Sequence, residues 1–243
     1  MKVLLTGVGK GFGRSYLEHL IAQNQYEILG ITRSLNDFTE EEVASFHEKN
    51  IVLKPVDLSC SKSLQTFIKK NKDFLNSVDI LINNAGQRFR RSADQFEYEE
   101  LELLFRVNVL APIMLSSNVL TGMKKRKYGR IVNISSILGS SGLADLSGYS
   151  ATKGALDSMT KAMAVEFAEF DITVNAIAPG FCETSYANKF KENTDLYKEI
   201  INRIPMRRWG KENEINGMLD FIISSDADYI TGQIFNIDGG WTA

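Results

Sequence analysis

The sequence has only two cysteines, Cys60 and Cys182, and neither belongs to a C-x-x-C pair. Two distant thiols make no disulfide framework, so a reducing compartment, the cytoplasm, is the expected location. The two histidines, His19 and His47, fall in expected helices away from any motif, and no Cys/His/carboxylate cluster has metal-ligand spacing. Charge of one sign is also missing: 28 basic against 30 acidic residues give a net charge of −2, which points to no nucleic-acid partner. No long uninterrupted apolar run suggests a membrane span; the most apolar stretch, 107–123, is broken by Asn108, Pro112, Ser116, Ser117 and Asn118. The opening MKVLLTG turns polar at Thr6-Gly7, too soon for a secretory signal. No Pro- or Ser-rich linker, repeat or low-complexity segment divides the 243 residues, so one domain over 1–243 is expected.

What is present is a regular alternation of short apolar runs with longer amphipathic ones. Strands are expected over 3–6, 26–32, 51–56, 78–83, 130–135, 172–178 and 233–237, and helices over 12–24, 40–49, 63–76, 98–125 and 149–170. The strands are Val/Ile/Leu runs without polar alternation, as when helices cover both faces of a sheet. The fold class is therefore α/β, a Rossmann-type doubly wound parallel sheet of about seven strands. The polar stretch 181–209 departs from the pattern and is expected to form a lid over the carboxyl ends of the strands.

The first strand runs into Thr6-Gly7-Val8-Gly9-Lys10-Gly11-Phe12-Gly13 and then a helix. Glycines let backbone approach a pyrophosphate, and the helix N-terminus offers free N–H groups and a positive dipole end. Gly7, Lys10, Gly11, Phe12 and Gly13 are the expected contacts. The second strand ends at Thr32-Arg33, where an NAD site would place a carboxylate for the ribose 2′-hydroxyl. Arg33 can instead fork onto a 2′-phosphate with Lys10 adding charge, which favours NADP(H); as ordinary surface cations they would do neither. Asp57, with Leu58 at the end of the third strand, is placed for the adenine or serves as a turn residue.

Tyr149 and Lys153 form a Y-x-x-x-K pair on one helix face. A free tyrosine titrates near pH ~10, and a nearby ammonium lowers that value; reaching neutrality takes about 4 kcal/mol of differential interaction. Ser136 follows the strand 130–135, where its hydroxyl can hold a substrate carbonyl oxygen while Tyr149 exchanges a proton with it, or simply cap a turn.

Together these residues resemble the short-chain dehydrogenase/reductase family, over nearly the whole chain. Its marks are the Thr6–Gly13 loop, Asn83-Asn84-Ala85-Gly86, Asn108 in FRVNVLAP, Ser136 in NISSILG, GYSATKGAL around Tyr149 and Lys153, Pro179-Gly180 followed by Thr184, and the ending YITGQIFNIDGGW. The resemblance implies that Tyr149 is the acid in reduction and the base in oxidation. Lys153 would bind the nicotinamide ribose and lower the Tyr149 pKa, Ser136 would polarise the substrate oxygen, and Asn108 would hold a water linking Lys153 to solvent. Asn84, Ala85 and Gly86 would border the ribose and nicotinamide, and Pro179, Gly180, Cys182 and Thr184 the nicotinamide end, Cys182 through its backbone.

Within the family the chain resembles the bacterial 3-oxoacyl-[acyl-carrier-protein] reductases, through APGFCET and IPMRRWGK. The basic run Lys124–Lys127 fits a carrier-binding mouth, whereas Phe170-Asp171 and a longer lid depart from that subgroup. The run Gln87-Arg88-Phe89-Arg90-Arg91 could bind a carboxylate, a phosphate or an acidic carrier, or be a solvated loop. The substrate expected is thus a small-molecule or acyl-thioester carbonyl compound, anionic if those arginines read it. A sugar, polyol or secondary-alcohol dehydrogenase and a non-catalytic NADPH-binding sensor are the rivals. Leu104, Val107, Leu110 and Leu115 on one long helix, with Ala155, Met159, Ala162 and Met163 on the other, suggest a second buried face in a homotetramer or homodimer.

Overall fold

The computed structural model describes residues 1–184 and 194–243, so the 185–193 part of the expected lid lies outside the described residues. Seven strands form one sheet in the order β3-β2-β1-β4-β5-β6-β7, and every pairing is parallel. They are β1 Lys2–Thr6, β2 Glu27–Thr32, β3 Ile51–Pro55, β4 Ile80–Asn83, β5 Gly129–Ile134, β6 Ile172–Pro179 and β7 Ile234–Ile237. The helices are α1 Gly11–Gln23, α2 Glu40–Glu48, α3 Ser61–Lys70, α4 Lys72–Ser77, α5 Tyr98–Phe105, α6 Ala111–Arg126, α7 Ser147–Phe167, α8 Thr194–Arg203 and α9 Asn216–Ile223.

Strand side chains alternate between two cores, which is why neither face could be polar. Leu4, Leu29, Leu81, Ile131 and Val174 pack with Leu115, Val119 and Met123 of α6 and Phe167 of α7. Val3, Leu5, Ile80, Ile82 and Val132 pack on the other side with Leu17 and Leu20 of α1 and Leu219 and Ile222 of α9. The order of strand addition reverses between β1 and β4, and in such sheets ligands bind in the crevice at that switch point.

The structure departs from expectation at four points. The helix expected over 98–125 is interrupted by a π-helical turn, Arg106–Leu110, in which the Ala111 N–H reaches the Arg106 carbonyl. Pro112 supplies a physical reason: it lacks the N–H that would bond the Asn108 carbonyl, and its ring crowds that carbonyl. The helix expected over 63–76 is two helices, α3 and α4, and α9 was not anticipated. Finally, Tyr98–Arg126 is long and apolar enough, by length and composition, to cross a membrane. In the fold its Leu104, Leu115, Val119 and Met123 are wholly buried in the protein core.

Gly122 of α6 sits so close to α4 that a Cβ there would lie 1.8 Å from the Asn76 carbonyl oxygen. Alanine would improve helix propensity by about 1 kcal/mol, but overpacking costs roughly 1–3 kcal/mol, and a clash with backbone belongs at the upper end. Gly122→Ala is therefore expected to lose about 2 kcal/mol in urea denaturation. Unchanged or raised stability would mean that α4 and α6 part easily.

Candidate active site

Segments following six strands meet in one cleft of about 610 Å³ at the carboxyl edge of the sheet. Its lining includes Gly7, Lys10, Gly11, Phe12, Thr32, Arg33, Asp57, Leu58, Asn84, Ala85, Gly86, Ser136, Tyr149, Lys153, Pro179, Gly180, Cys182 and Thr184. Two of the residues singled out in the sequence stand behind the wall. Gly13 packs α1 against the glycine loop, since a Cβ there would meet the Gly7 carbonyl oxygen at 2.1 Å. Asn108 is 1% exposed and acts from beneath.

The glycine loop is built by the strand-end asparagine. Asn84 Nδ2 donates to the Thr6 carbonyl at 2.9 Å and to the Gly7 carbonyl at 3.2 Å. The Thr6 hydroxyl accepts from the Asn84 and Ala85 N–H groups at 3.0 and 2.9 Å. This side chain therefore fixes the loop. Gly11 has φ +59°, the left-handed region glycine adopts without strain. The N-cap of α1 is Lys10, with no side-chain cap and no acidic residue in the first turn, so the helix N-terminus carries unscreened positive character into the cleft.

At the far end, Arg33 and Lys10 are exposed cations that line the cleft. Sequence reasoning did not find their neighbour Asp37, from the short 3₁₀ turn after β2, which also lines the cleft. Its Oδ2 accepts from the Thr32 hydroxyl at 3.3 Å and would stand 2.2 Å from a Cβ on Gly9. Asp57 accepts from the Ser59 N–H at 2.9 Å and its hydroxyl at 2.6 Å. It is thus a turn residue as well as a wall of the cleft.

Tyr149 and Lys153 enter from the first turns of α7, which a buried polar chain ties to the sheet. Asn83 Nδ2 donates to Asn133 Oδ1 at 2.9 Å, and Asn133 Nδ2 donates to the Thr160 hydroxyl at 2.9 Å. Lys153 is 4% exposed, donates to the Ile134 carbonyl at 2.6 Å and holds its Nζ 5.7 Å from the Tyr149 ring centroid. Burial pulls its pKa down to about 8, against the opposing charge of Asp157 one turn further along α7.

The Ser136 hydroxyl caps the turn Ile137–Gly139, accepting from the Leu138 N–H at 3.2 Å. The capping and the chemical readings of this serine coexist, because an accepting hydroxyl keeps its own hydrogen to donate. The π turn places Asn108 so that its Oδ1 accepts from the Gln87 N–H at 2.7 Å. Its Nδ2 donates to the Gln87 carbonyl at 2.8 Å and to the Thr152 hydroxyl at 2.9 Å. Thr152 in turn donates to the Tyr149 carbonyl at 2.7 Å. Asn108 thereby ties the loop after β4 to the helix that carries the pair. A Cβ on Gly86 would lie 3.7 Å from Asn108 Oδ1 and 3.9 Å from Lys153 Nζ, so bare glycine leaves room above the ammonium.

Leu103, Val107, Phe181 and Trp209 also line the cleft, and Phe181 shares an apolar cluster with Tyr149. Val107, Phe181 and Trp209 stand in the runs FRVNVLAP, APGFCET and IPMRRWGK, but nothing in those runs gave them a place in the cleft; with Leu103 they arrive from three separate segments. Cys182 is buried, and burial with the charges of Glu214 and Glu212 pushes its thiol up to about 12, so it is no nucleophile at neutral pH. Within the chain Lys124–Lys127 lies at the end of α6 beside the amino edge of β5, away from the cleft, with Arg126 bonded to the Asn76 and Val78 carbonyls. Among the described residues no group of His, Cys, Asp and Glu could hold a metal ion.

Residues 7–242 match the family model described as Enoyl-(Acyl carrier protein) reductase. The chain belongs to the short-chain dehydrogenase/reductase family. It is 32% identical over 241 residues to a 2-dehydro-3-deoxy-D-gluconate 5-dehydrogenase of Pseudoalteromonas atlantica, covering 98% of this chain and 94% of that one. It is also 32% identical over 237 residues to a 3-oxoacyl-[acyl-carrier-protein] reductase of Buchnera aphidicola, covering 98% and 95%. Among family structures, a candidate NAD(P)-dependent gluconate 5-dehydrogenase of Beutenbergia cavernae, solved with NADP, superposes with a TM-score of 0.91 at 28% identity, covering 99% and 96%. A 4-hydroxyisoleucine dehydrogenase complexed with NADH superposes equally well, at 0.91 and 28%, covering 99% and 98%.

Proposed function

We propose that this family member is an NADP(H)-dependent oxidoreductase that interconverts a carbonyl and a secondary alcohol. The observation that carries the reading is the Tyr149–Lys153 pair: a phenol in the cleft beside an ammonium that is buried yet kept near neutral pH. A binding protein or sensor has no use for a buried cation beside a phenol. Bound NADPH supplies the hydride to the carbonyl carbon. Tyr149 delivers the proton to the carbonyl oxygen, Ser136 donates a hydrogen bond to that oxygen, and Lys153 stabilises the phenolate left behind. Oxidation runs the same proton back to Tyr149. Asn108 keeps the Gln87 loop and the Tyr149 helix in register; the water that would link Lys153 to solvent belongs to the same reading.

What supports a dinucleotide with a 2′-phosphate is the pair of cations, Arg33 and Lys10, in the lining of the cleft. The uncapped α1 terminus and the Gly7–Gly11 loop would hold the pyrophosphate, with Phe12 beside it. Arg33 and Lys10 would hold the 2′-phosphate, Thr32 and Leu58 flank the adenosine, and Gly86, Pro179, Gly180, Cys182 and Thr184 surround the nicotinamide. Asp37 opposes the phosphate, so selectivity is a balance of charges. Arg33→Asp is expected to lower kcat/KM for NADPH about 100-fold while changing that for NADH less than about threefold; Asp37→Asn should raise the NADPH/NADH ratio about fivefold. Equal losses for both cofactors in steady-state kinetics would remove Arg33 as the phosphate ligand.

The substrate reading divides between a 3-oxoacyl-type ketone and a sugar-type alcohol, as the relatives do. Loss of the basic run from the cleft weighs against an acyl carrier; the cleft itself favours a small, anionic molecule. A cytoplasmic homodimer or homotetramer belongs to the same proposal. Leu104 and Leu115 are consumed by the chain's own core, but Phe105, Leu110, Met114 and Val165 remain 37%, 52%, 41% and 84% exposed on α5–α7 and the turn between α5 and α6.

A further inference from the structure

The run of three arginines after β4 separates in the fold. Arg90 is exposed and 3.5 Å from Asp145, and Arg91 is 2.6 Å from Glu100. Neither lines the cleft. Arg88 does, half-buried, with its guanidinium carbon 5.9 Å from the centroid of the Tyr149 ring. What sets it apart is place. Among the described residues, the carboxylates that line the cleft, Asp37 and Asp57, both belong to the adenosine end. Leu138 and Phe181 share an apolar cluster with Tyr149, and among the described residues the cations that stand against its ring are Arg88 and Lys153, the latter committed to the Ile134 carbonyl.

We propose that Arg88 is the substrate carboxylate subsite, so that the molecule reduced or oxidised at Tyr149 is a short oxo- or hydroxy-carboxylic acid. This rests on the oxidoreductase reading above. A guanidinium presents a planar fork that matches a carboxylate with two parallel hydrogen bonds, and an apolar surround strengthens each of them. A phosphate, at nearly two negative charges, is met elsewhere by several cations or a helix N-terminus; among the described residues one guanidinium, that of Arg88, reaches this part of the cleft. A carrier-bound thioester has no charge near its reacting carbonyl, because its phosphate lies a whole pantetheine arm away. Arg88 beside the phenol would then have nothing to read. A carboxylate placed on Arg88 fixes which carbon along a short acid faces Tyr149 and Ser136. The subsite thus supplies position as well as affinity.

The test pairs acids with neutral molecules of the same skeleton: D-gluconate with D-glucitol and 3-hydroxybutyrate with 3-hydroxybutanamide, each followed by NADP⁺ reduction. For whichever pair turns over faster, the acid should exceed its neutral partner in kcat/KM by about 100-fold. Arg88→Gln should collapse that ratio to within about threefold of one, Arg88→Lys should restore part of it, and Arg90→Gln should leave it intact. NADPH binding by fluorescence checks that each variant is folded. A neutral molecule turned over as well as its acid, or a ratio unmoved by Arg88→Gln, overturns the subsite while leaving the oxidoreductase standing. NADPH binding without turnover of any member overturns both.

Discussion

Replacing Tyr149 by Phe is expected to lower kcat by about 10³-fold while NADPH still binds with affinity within about threefold of wild type. The substitution removes one oxygen and keeps the ring that packs against Leu138 and its neighbours. Nothing else at that position can exchange a proton with a carbonyl oxygen: Ser136 can donate a hydrogen bond, but a neutral hydroxyl has no cation beneath it to take up the charge. Hydride transfer would then have to generate a bare alkoxide. The effect should fall on kcat rather than on KM, because the proton moves only in the transition state. Single-turnover absorbance of the nicotinamide, with fluorescence titration of NADPH, separates the two. Activity within tenfold of wild type would mean that another group supplies the proton.

Lys153→Met is expected to trade activity for stability. Loss of the ammonium should lower kcat by about 10³-fold, through the Tyr149 proton and the grip on the cofactor ribose together. The stability effect has a definite sign. Below pH 8 the lysine is protonated whether folded or unfolded, and the folded state carries the whole cost of burying it. Between about 8 and its ordinary 10.5 the folded protein has shed the proton and the unfolded chain has not, so the cost fades; above 10.5 it is gone. The cost is about 3 kcal/mol, and losing the hydrogen bond to the Ile134 carbonyl returns about 1 kcal/mol of it. The cofactor-free methionine variant should therefore be about 2 kcal/mol more stable than wild type at pH 7, an advantage that disappears as pH rises through 8 to 10.5. Denaturation at several pH values measures this directly. A pH-independent difference would show that Lys153 is hydrated, not buried.

The parallel sheet was legible because residues that alternate between two cores must be mostly apolar, and these strands are Val/Ile/Leu-rich, with Asn83 and Asn133 committed to a buried polar chain. The glycine loop, Ser136, Tyr149 and Lys153 were legible because they sit at strand ends or on one helix face, where spacing fixes position; Asn84 was named only through the family resemblance. Asn108 could be named but not placed: its π turn rests on Pro112, a signal present in the sequence and read only as a break in an apolar run. Asp37 was illegible, since its position depends on how a turn folds back onto Gly9. Trp209 and Phe181 come together from segments separated in sequence, and no local pattern records such a meeting. The arginine run shows the same limit: three similar residues gained three different environments only through Asp145, Glu100 and the cleft.

The central claim is that this cleft runs hydride chemistry with NADPH. The most direct test mixes wild-type protein, saturated with NADPH, with a panel of short oxo-acids and neutral ketones and follows the nicotinamide absorbance. The account predicts that NADPH is consumed mole for mole with a carbonyl compound, that consumption stops in the Tyr149→Phe variant, and that NADH serves less well. Tight NADPH binding with no consumption by any member of the panel would contradict it.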